Sequence, residues 1–212
     1  MDALNPKANT YAQQHSSLVD DILQKIEEET IQHHKHAHML SGNVQGKFLE
    51  LISRMINPSN ILEIGTFTGY SAVCLSKGLK EGGRLDTIEI REEDALKAKS
   101  YFHEAGLNST IRLHIGNAMD IIPKLEENWD LVFIDADKVS YINYYELTLP
   151  RLKKGGWMLV DNVLFHGQVL EDSIKGKNAV AIDAFNKHVV KDDRVEQVLL
   201  TIRDGITLIR KL

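Results

Sequence analysis

The amino-acid sequence predicts an α/β fold: a doubly wound, mostly parallel seven-stranded sheet that ends in an antiparallel hairpin and is preceded by N-terminal helices. Three observations carry this reading. Between residues 60 and 162, short apolar runs recur, each followed by a stretch of helical length, as in parallel strands joined by crossover helices. The C-terminal end instead holds two strand-like runs across RDG, a tight-turn signal for a hairpin at the sheet edge. Ahead of the sheet pattern, residues 11–32 show apolar positions at helical spacing with acids between them, which predicts an amphipathic helix.

Each element follows in order. The first helix is marked by Leu18, Ile22, Leu23 and Ile26. The next segment, HHKHAHMLSGNVQGKFLELISRM, begins polar and becomes helical from about Val44 to Ile56, where Pro58 stops it. The strand runs are NILEIG (60–65), RLDTIEI (84–90), IRLHIG (111–116), DLVFID (130–135) and GWMLVDN (156–162), then RVEQVLLTI and GITLIRKL on either side of the turn. No repeat, low-complexity tract or linker divides the chain. It reads as one domain, 1–212, made of a helical cover (1–43) and a core (44–212).

The 212 residues, 43% of them hydrophobic, suffice for a sizeable core, and no apolar run is long enough to span a membrane. The N-terminal stretch lacks the basic start, apolar centre and cleavage site of a secretory signal, and Cys74 is a single cysteine. Both point to the cytosol. A net charge of −5 with a pI near 6.0 argues against generic attraction to nucleic acid. Cys74 reads as core packing.

The chemistry begins where the first strand runs into EIGTFTGYS, giving Glu63-x-Gly65-x-x-x-Gly69-x-Ser71. In an open parallel sheet, ligands bind beyond the carboxyl ends of the strands, and glycine lets backbone approach a ligand closely. The dinucleotide pattern G-x-G-x-x-G is absent, because Glu63 stands at the first glycine's place. A carboxylate there repels a pyrophosphate and suits an ammonium or sulfonium, which favours S-adenosylmethionine over NAD. Glu89 ends the second strand twenty residues after Gly69, where an acid can accept hydrogen bonds from both ribose hydroxyls. Ala118, in GNAMD, offers a small residue where an adenine edge meets backbone donors. The plainer alternative is that the glycines make a turn and that Glu89 caps the following helix.

Strand four ends on Asp135 and strand five on Asp161-Asn162. If these strands are neighbours, hard oxygen donors converge at one edge and suit Mg²⁺, Mn²⁺ or Ca²⁺ better than zinc. Asp135, Asp161 and Asn162 leave positions for water and for two oxygens of a substrate such as a catechol. Lys138, a short turn past Asp135, is placed to accept a hydroxyl proton. Helix caps and turns remain the bland account of these acids, and a solvated lysine that of Lys138. His33, His34, His36 and His38 crowd one segment; His34 and His38 have a zinc-compatible spacing but no intervening H-E-x-x-H glutamate, so a solvated segment is expected.

Together MLSGNVQGKFL (39–49), LEIGTFTGYS (62–71), IEI (88–90), GNA (116–118), FIDADK (133–138) and LVDNVLFHG (159–167) resemble the cation-dependent O-methyltransferases of the caffeoyl-CoA and catechol type, small bacterial members included. The resemblance spans nearly the whole chain and implies a Rossmann-like class I methyltransferase domain. It implies that Glu63, Gly65, Thr66, Gly69, Ser71, Glu89, Ala118, Asp135 and Asp137 form the S-adenosylmethionine site, with Met39 and Ser41 closing over it. By the same carry-over, Asp135, Asp161 and Asn162 hold the metal, Asp135 and Lys138 are catalytic, and Lys138, Phe165 and His166 face the acceptor. It further implies a homodimer whose N-terminal helix covers the active site. Departures fall at Gln45, where the family often has an acid, and at Phe165 and His166, near which the plant coenzyme A ester enzymes carry Trp and Asn. With a shorter N-terminus than the plant enzymes, this points to a small catechol acceptor. Bacterial relatives that resemble tRNA hydroxyuridine methyltransferases leave a second acceptor open, with lysines of RLKKGG (151–156) and SIKGKN (173–178) as phosphate contacts. A non-catalytic S-adenosylmethionine-binding module is the third alternative.

Overall fold

The computed structural model describes residues 6–212, so the first five residues of the expected cover lie outside the described residues. The chain opens with helices α1 (Pro6–Gln14), α2 (Asp21–His33) and α3 (Gly42–Ile56). The single helix expected over 11–32 is therefore two. The break has a local cause: Ser16 Oγ donates to the Ala12 carbonyl at 2.7 Å, the acceptor that the Ser16 N–H would use in a continuing helix, while that N–H turns to the Gln13 carbonyl at 3.4 Å. Asp20 is then extended ahead of α2, and Leu18, counted into the apolar stripe, lies in the break at 88% exposure. α3 starts two residues earlier than expected and ends at Asn57, left-handed at φ 51, immediately before Pro58.

The core alternates strands and helices: β1 (Asn60–Ile64), α4 (Tyr70–Ser76), β2 (Arg84–Glu89), α5 (Glu92–Glu104), β3 (Ile111–Ile115), α6 (Ala118–Ile121), β4 (Trp129–Ile134), α7 (Tyr141–Thr148), β5 (Leu152–Asp161), α8 (Lys177–Val190), β6 (Val195–Leu200) and β7 (Ile206–Lys211). α6 is much shorter than a full crossover helix. Pro123 turns the chain into a 3-10 segment right after it. The sheet order is β3-β2-β1-β4-β5-β7-β6. β1 to β5 pair in parallel, while β7 is antiparallel to both β5 and β6. This is the doubly wound sheet with a terminal hairpin that the strand pattern predicts. β5 begins four residues before the expected run, across an irregular pairing between Trp129 and Leu131.

Successive strand side chains point to opposite faces, and the two cores follow that rule. Leu62, Ile64, Val132, Ile134, Met158 and Val160 pack on one face with Tyr141, Tyr145 and Phe185 of α7 and α8. Ile61, Leu85, Leu131, Phe133 and Leu159 pack on the other with side chains of α2 to α5, among them Leu23, Leu49, Val73 and Phe102. Full burial of each such side chain is worth about 1.5–3 kcal/mol. α2 is fastened by Leu23 and Ile26, both fully buried, so the N-terminal helix is part of the core. Among the described residues, no helix is long and apolar enough to cross a membrane. Because the strand order reverses between β1 and β4, the carboxyl ends of these strands splay into a crevice.

Candidate active site

A cleft of about 740 Å³ opens at that reversal, walled by the ends of β1, β2, β4 and β5 and roofed by residues 38–41. Its floor is the loop after β1. Gly65 is left-handed at φ 101, and any side chain on it would run into the Asp135 carbonyl. Gly69, at φ 89, would drive a Cβ to 2.7 Å from the Phe102 ring. Both glycines are thus required by packing, Gly65 against the end of β4 and Gly69 against α5. Gly65, Thr66 and Ser71 reach the cleft wall, whereas Gly69 and Glu63 are not on it.

Glu63 is fully buried behind the loop. Thr66 Oγ1 and Thr87 Oγ1 lie 2.5 Å apart, and Thr87 donates its hydroxyl to Glu63 Oε2, so Thr66 is the donor in the first contact. Burial, followed at a distance by the charges of Asp135 and Glu89, pushes the Glu63 carboxyl up to about 8 against the pull of the nearby Ser71 hydroxyl and of the Thr87 hydrogen bond. Its Oε1 has no protein partner. An unmatched carboxyl oxygen under this loop suits a cationic ligand above it.

Glu89 does two things. Its Oε2 accepts the Phe67 backbone N–H at 2.7 Å and its Oε1 that of Arg91 at 3.0 Å. The second contact falls on Arg91, the residue ahead of α5, so Glu89 does not cap the first turn of that helix. Each oxygen keeps a free lone pair, and the residue lines the cleft. Beside it Arg91 lies over the Phe67 ring at 5.4 Å and its Nη1 sits 3.9 Å from Met39 Sδ. Ala118 starts α6 next to the cap Asn117, which accepts the Met119 N–H. Asp137 accepts Tyr144 Oη at 2.5 Å and Ser140 Oγ at 2.6 Å. Met39, Ser41, Ala118 and Asp137 all border the same cleft.

The acids gather beside the loop, at the ends of β4 and β5. β4 and β5 are neighbours, so Asp135, Asp161 and Asn162 do share one edge. Asp161 is buried; burial and the adjacent Asp135 charge push its carboxyl up to about 7. Its Oδ1 accepts the Asn162 N–H at 2.7 Å and its Oδ2 the Gln45 amide at 2.6 Å. Lys138 Nζ donates to Asp135 Oδ1 at 2.9 Å and to Tyr141 Oη at 2.6 Å, and Tyr141 Oη donates to the Asp161 carbonyl at 3.0 Å. Two carboxylates and an amide oxygen, with a single lysine as local counter-charge, form a hard oxygen set of the kind that fits a divalent cation.

The rim is conformationally costly. Asn162, Phe165, His166 and Arg203 are four of the six non-glycine residues with positive φ among the described residues, a conformation that marks functional or tightly held backbone. Phe165 and His166 line the cleft beside Asn178 and Asp204. Asp204 accepts the His166 N–H at 2.5 Å, and its Oδ2 has no hydrogen-bond partner. Several residues at the site escaped the sequence reading: Phe67, Arg91, Tyr141, Tyr144, Arg203 and Asp204. Arg203 and Asp204 sit in RDG, where the turn signal hid them. Tyr141 stands one helical turn after Lys138, a spacing that could have drawn notice.

Of the crowded histidines, His33 and His38 are exposed, as a solvated segment would have them, and His34 is engaged. His34 Nε2 meets Asp94 Oδ1 at 2.9 Å and its Nδ1 accepts the His36 N–H. A different trio, Glu146, His188 and Asp192, brings ligand-type atoms within 4.8 Å of one another, but Arg194 donates to Glu146 and Asp192 there. Cys74 is buried, and burial raises its thiol, in keeping with a packing role. Lys153 pairs with Asp130 at 2.8 Å at the opposite end of the strands from the cleft. Lys175 and Lys177 precede Asn178 on the cleft side.

A doubly wound sheet with such a cleft at its reversal defines a class I methyltransferase architecture, and comparison with known proteins narrows it. The O-methyltransferase family model matches residues 13–212. The chain is 36% identical over 208 residues to the probable caffeoyl-CoA O-methyltransferase 2 of Dictyostelium discoideum, covering 95% of this chain and 90% of that one. It is 34% identical over 160 residues to the catechol O-methyltransferase of Niastella koreensis, covering 74% and 72%. Among solved structures, the O-methyltransferase of Bacillus cereus in complex with SAH superposes with a TM-score of 0.86 at 29% identity, covering 97% of each chain. The chain belongs to the S-adenosylmethionine-dependent O-methyltransferase family.

Proposed function

We propose that the protein transfers the methyl group of S-adenosylmethionine to one hydroxyl of a small catechol, with a divalent cation, Mg²⁺ foremost, held by Asp135, Asp161 and Asn162. The observation that carries this is the convergence of these three side chains with Lys138 at one end of the cleft. In this reading Met39, Ser41, Gly65, Thr66, Ser71, Glu89, Ala118 and Asp137 surround the cofactor. Gly69 and Glu63 serve the same site from behind, Gly69 by shaping the loop and Glu63 by a buried carboxyl whose ionisation a sulfonium nearby would favour. Of the cover expected over 1–43, residues 38–41 close over the cofactor, and 44–212 act as the catalytic core of one domain. Relatives named for caffeoyl-CoA and catechol support a phenolic acceptor. A single buried cysteine is in keeping with a cytosolic enzyme, and the family resemblance with a homodimer.

When bound, the cation supplies positive charge that offsets the two carboxylates and lowers the pKa of a hydroxyl beside it. Lys138 then handles the proton. Its contacts to Asp135 and Tyr141 hold Nζ beside the acids, and in this reading that nitrogen is the base that takes the hydroxyl proton. The freed oxygen attacks the methyl carbon, the carbon–sulfur bond breaks, and S-adenosylhomocysteine leaves as a neutral thioether. The loop and Glu89 hold the cofactor so that the methyl faces the acceptor, and much of the rate gain comes from that alignment. Phe165 and His166 form the acceptor wall.

The test is transfer of labelled methyl to a panel of catechols and to bulk tRNA, with and without chelator. Label on a catechol, lost with chelator and restored by Mg²⁺, is the expected result. Label on tRNA alone would move the acceptor to a polymer. Cofactor binding without transfer to any acceptor would point to a binding module.

A further inference from the structure

One chain of contacts links the cofactor cover, the terminal hairpin and Asp161. Arg203 Nη1 donates to the carbonyl of Leu40 at 3.2 Å, to the carbonyl of Ser41, and to Gln45 Oε1 at 2.9 Å. Gln45 Nε2 donates in turn to Asp161 Oδ2 at 2.6 Å. The amide orientation follows from chemistry. A guanidinium only donates and a carboxylate only accepts, so a side chain between them must offer an acceptor on one side and a donor on the other. Glutamine meets both demands. A glutamate in its place would set a second carboxylate against Asp161.

Two further facts argue that this arrangement is maintained for a purpose. Gln45 is 1% exposed, so its amide is committed to these two partners. Arg203 keeps its side chain on a left-handed backbone, φ 49, where a glycine is unstrained and other residues are not. The neighbouring Gly205 already supplies flexibility to this turn. The guanidinium contacts are what offset the strain.

We propose that Arg203 and Gln45 are positioning residues for the cation: the pair fixes the rotamer of Asp161 so that its carboxylate faces Asp135 and Asn162 and is ready to ligate. This deepens the functional reading above and rests on it. Partners of a metal-ligating carboxylate set its orientation, and their loss typically lowers metal affinity by 10- to 100-fold.

The experiment is Mn²⁺ binding followed by electron paramagnetic resonance, without acceptor, on the full chain. Gln45→Leu keeps the volume and removes the amide. Arg203→Gly removes the guanidinium and suits the local backbone, so it is expected to fold. Both should weaken Mn²⁺ binding about tenfold or more. The double variant should be no weaker than Gln45→Leu alone, because Arg203 acts through Gln45. Affinity of Gln45→Leu for S-adenosylhomocysteine, measured by calorimetry, should stay within twofold of the parent. Variants that bind Mn²⁺ like a parent that itself binds it would overturn the relay and leave the cation reading intact. Additive losses in the double variant would overturn it too. A parent that binds no Mn²⁺, with Asp161→Ala no different, would overturn the cation reading and the relay with it.

Discussion

Lys138 is held by Asp135 and Tyr141 at 2.9 and 2.6 Å, a geometry that leaves one site on its nitrogen for the acceptor. Lys138→Met should lower kcat by about 10²–10⁴-fold, the usual range for a lost general base, while cofactor affinity measured by calorimetry stays near that of the parent. Glu63 makes a prediction of a different kind. Its carboxyl is raised from 4.5 to about 8 in the folded chain, so the folded state holds a proton that the unfolded chain gives up. Stability is then full below about pH 4.5 and is lost as pH rises towards 8. The raised Asp161 carboxyl acts with the same sign. The melting temperature of the cofactor-free enzyme in chelator should fall between pH 5 and 8, and Glu63→Gln should flatten part of that fall. A slope unchanged by Glu63→Gln would refute the assignment. At this scale, residues at strand ends were legible because strand ends are where a doubly wound sheet binds its ligands. The Arg203–Gln45–Asp161 contacts were not, because their partners lie 158 and 116 residues apart and no local pattern announces them.

Elements show the same division. Strands were readable from their short apolar runs, and the hairpin from RDG, because both signals are local. The break at residues 15–20 was not, since it contains neither glycine nor proline, and Leu18 continues the apolar spacing while pointing into solvent. The loop glycines were read as serving a ligand, yet Gly69 answers to the Phe102 ring of α5. Gly69→Ala should therefore destabilise the fold by about 2–4 kcal/mol through overpacking and a left-handed backbone. A lower urea midpoint, also present in cofactor-free protein, checks this; a midpoint equal to the parent's would show that the glycine is required by the ligand alone. Leu23→Ala, in the helix that anchors the cover, should cost about 2–5 kcal/mol by leaving a cavity in a fully buried site.

On the scale of the whole molecule, the reversal of strand order between β1 and β4 places the loop after β1 directly beside the acids at the ends of β4 and β5, on one cleft. In the proposed reaction that adjacency brings the methyl donor on the loop next to an acceptor oxygen at the acids, with the lysine beside it. The wall proposed for the acceptor was the least legible feature, because it is built from residues with unusual backbone conformations whose placement depends on the hairpin turn packing against the end of β5. The most direct test of the account is anomalous scattering from crystals soaked in Mn²⁺ with S-adenosylhomocysteine. The account predicts a manganese peak bound by Asp135, Asp161 and Asn162. A peak confined to Glu146, His188 and Asp192, or none at the β4–β5 edge, would contradict it.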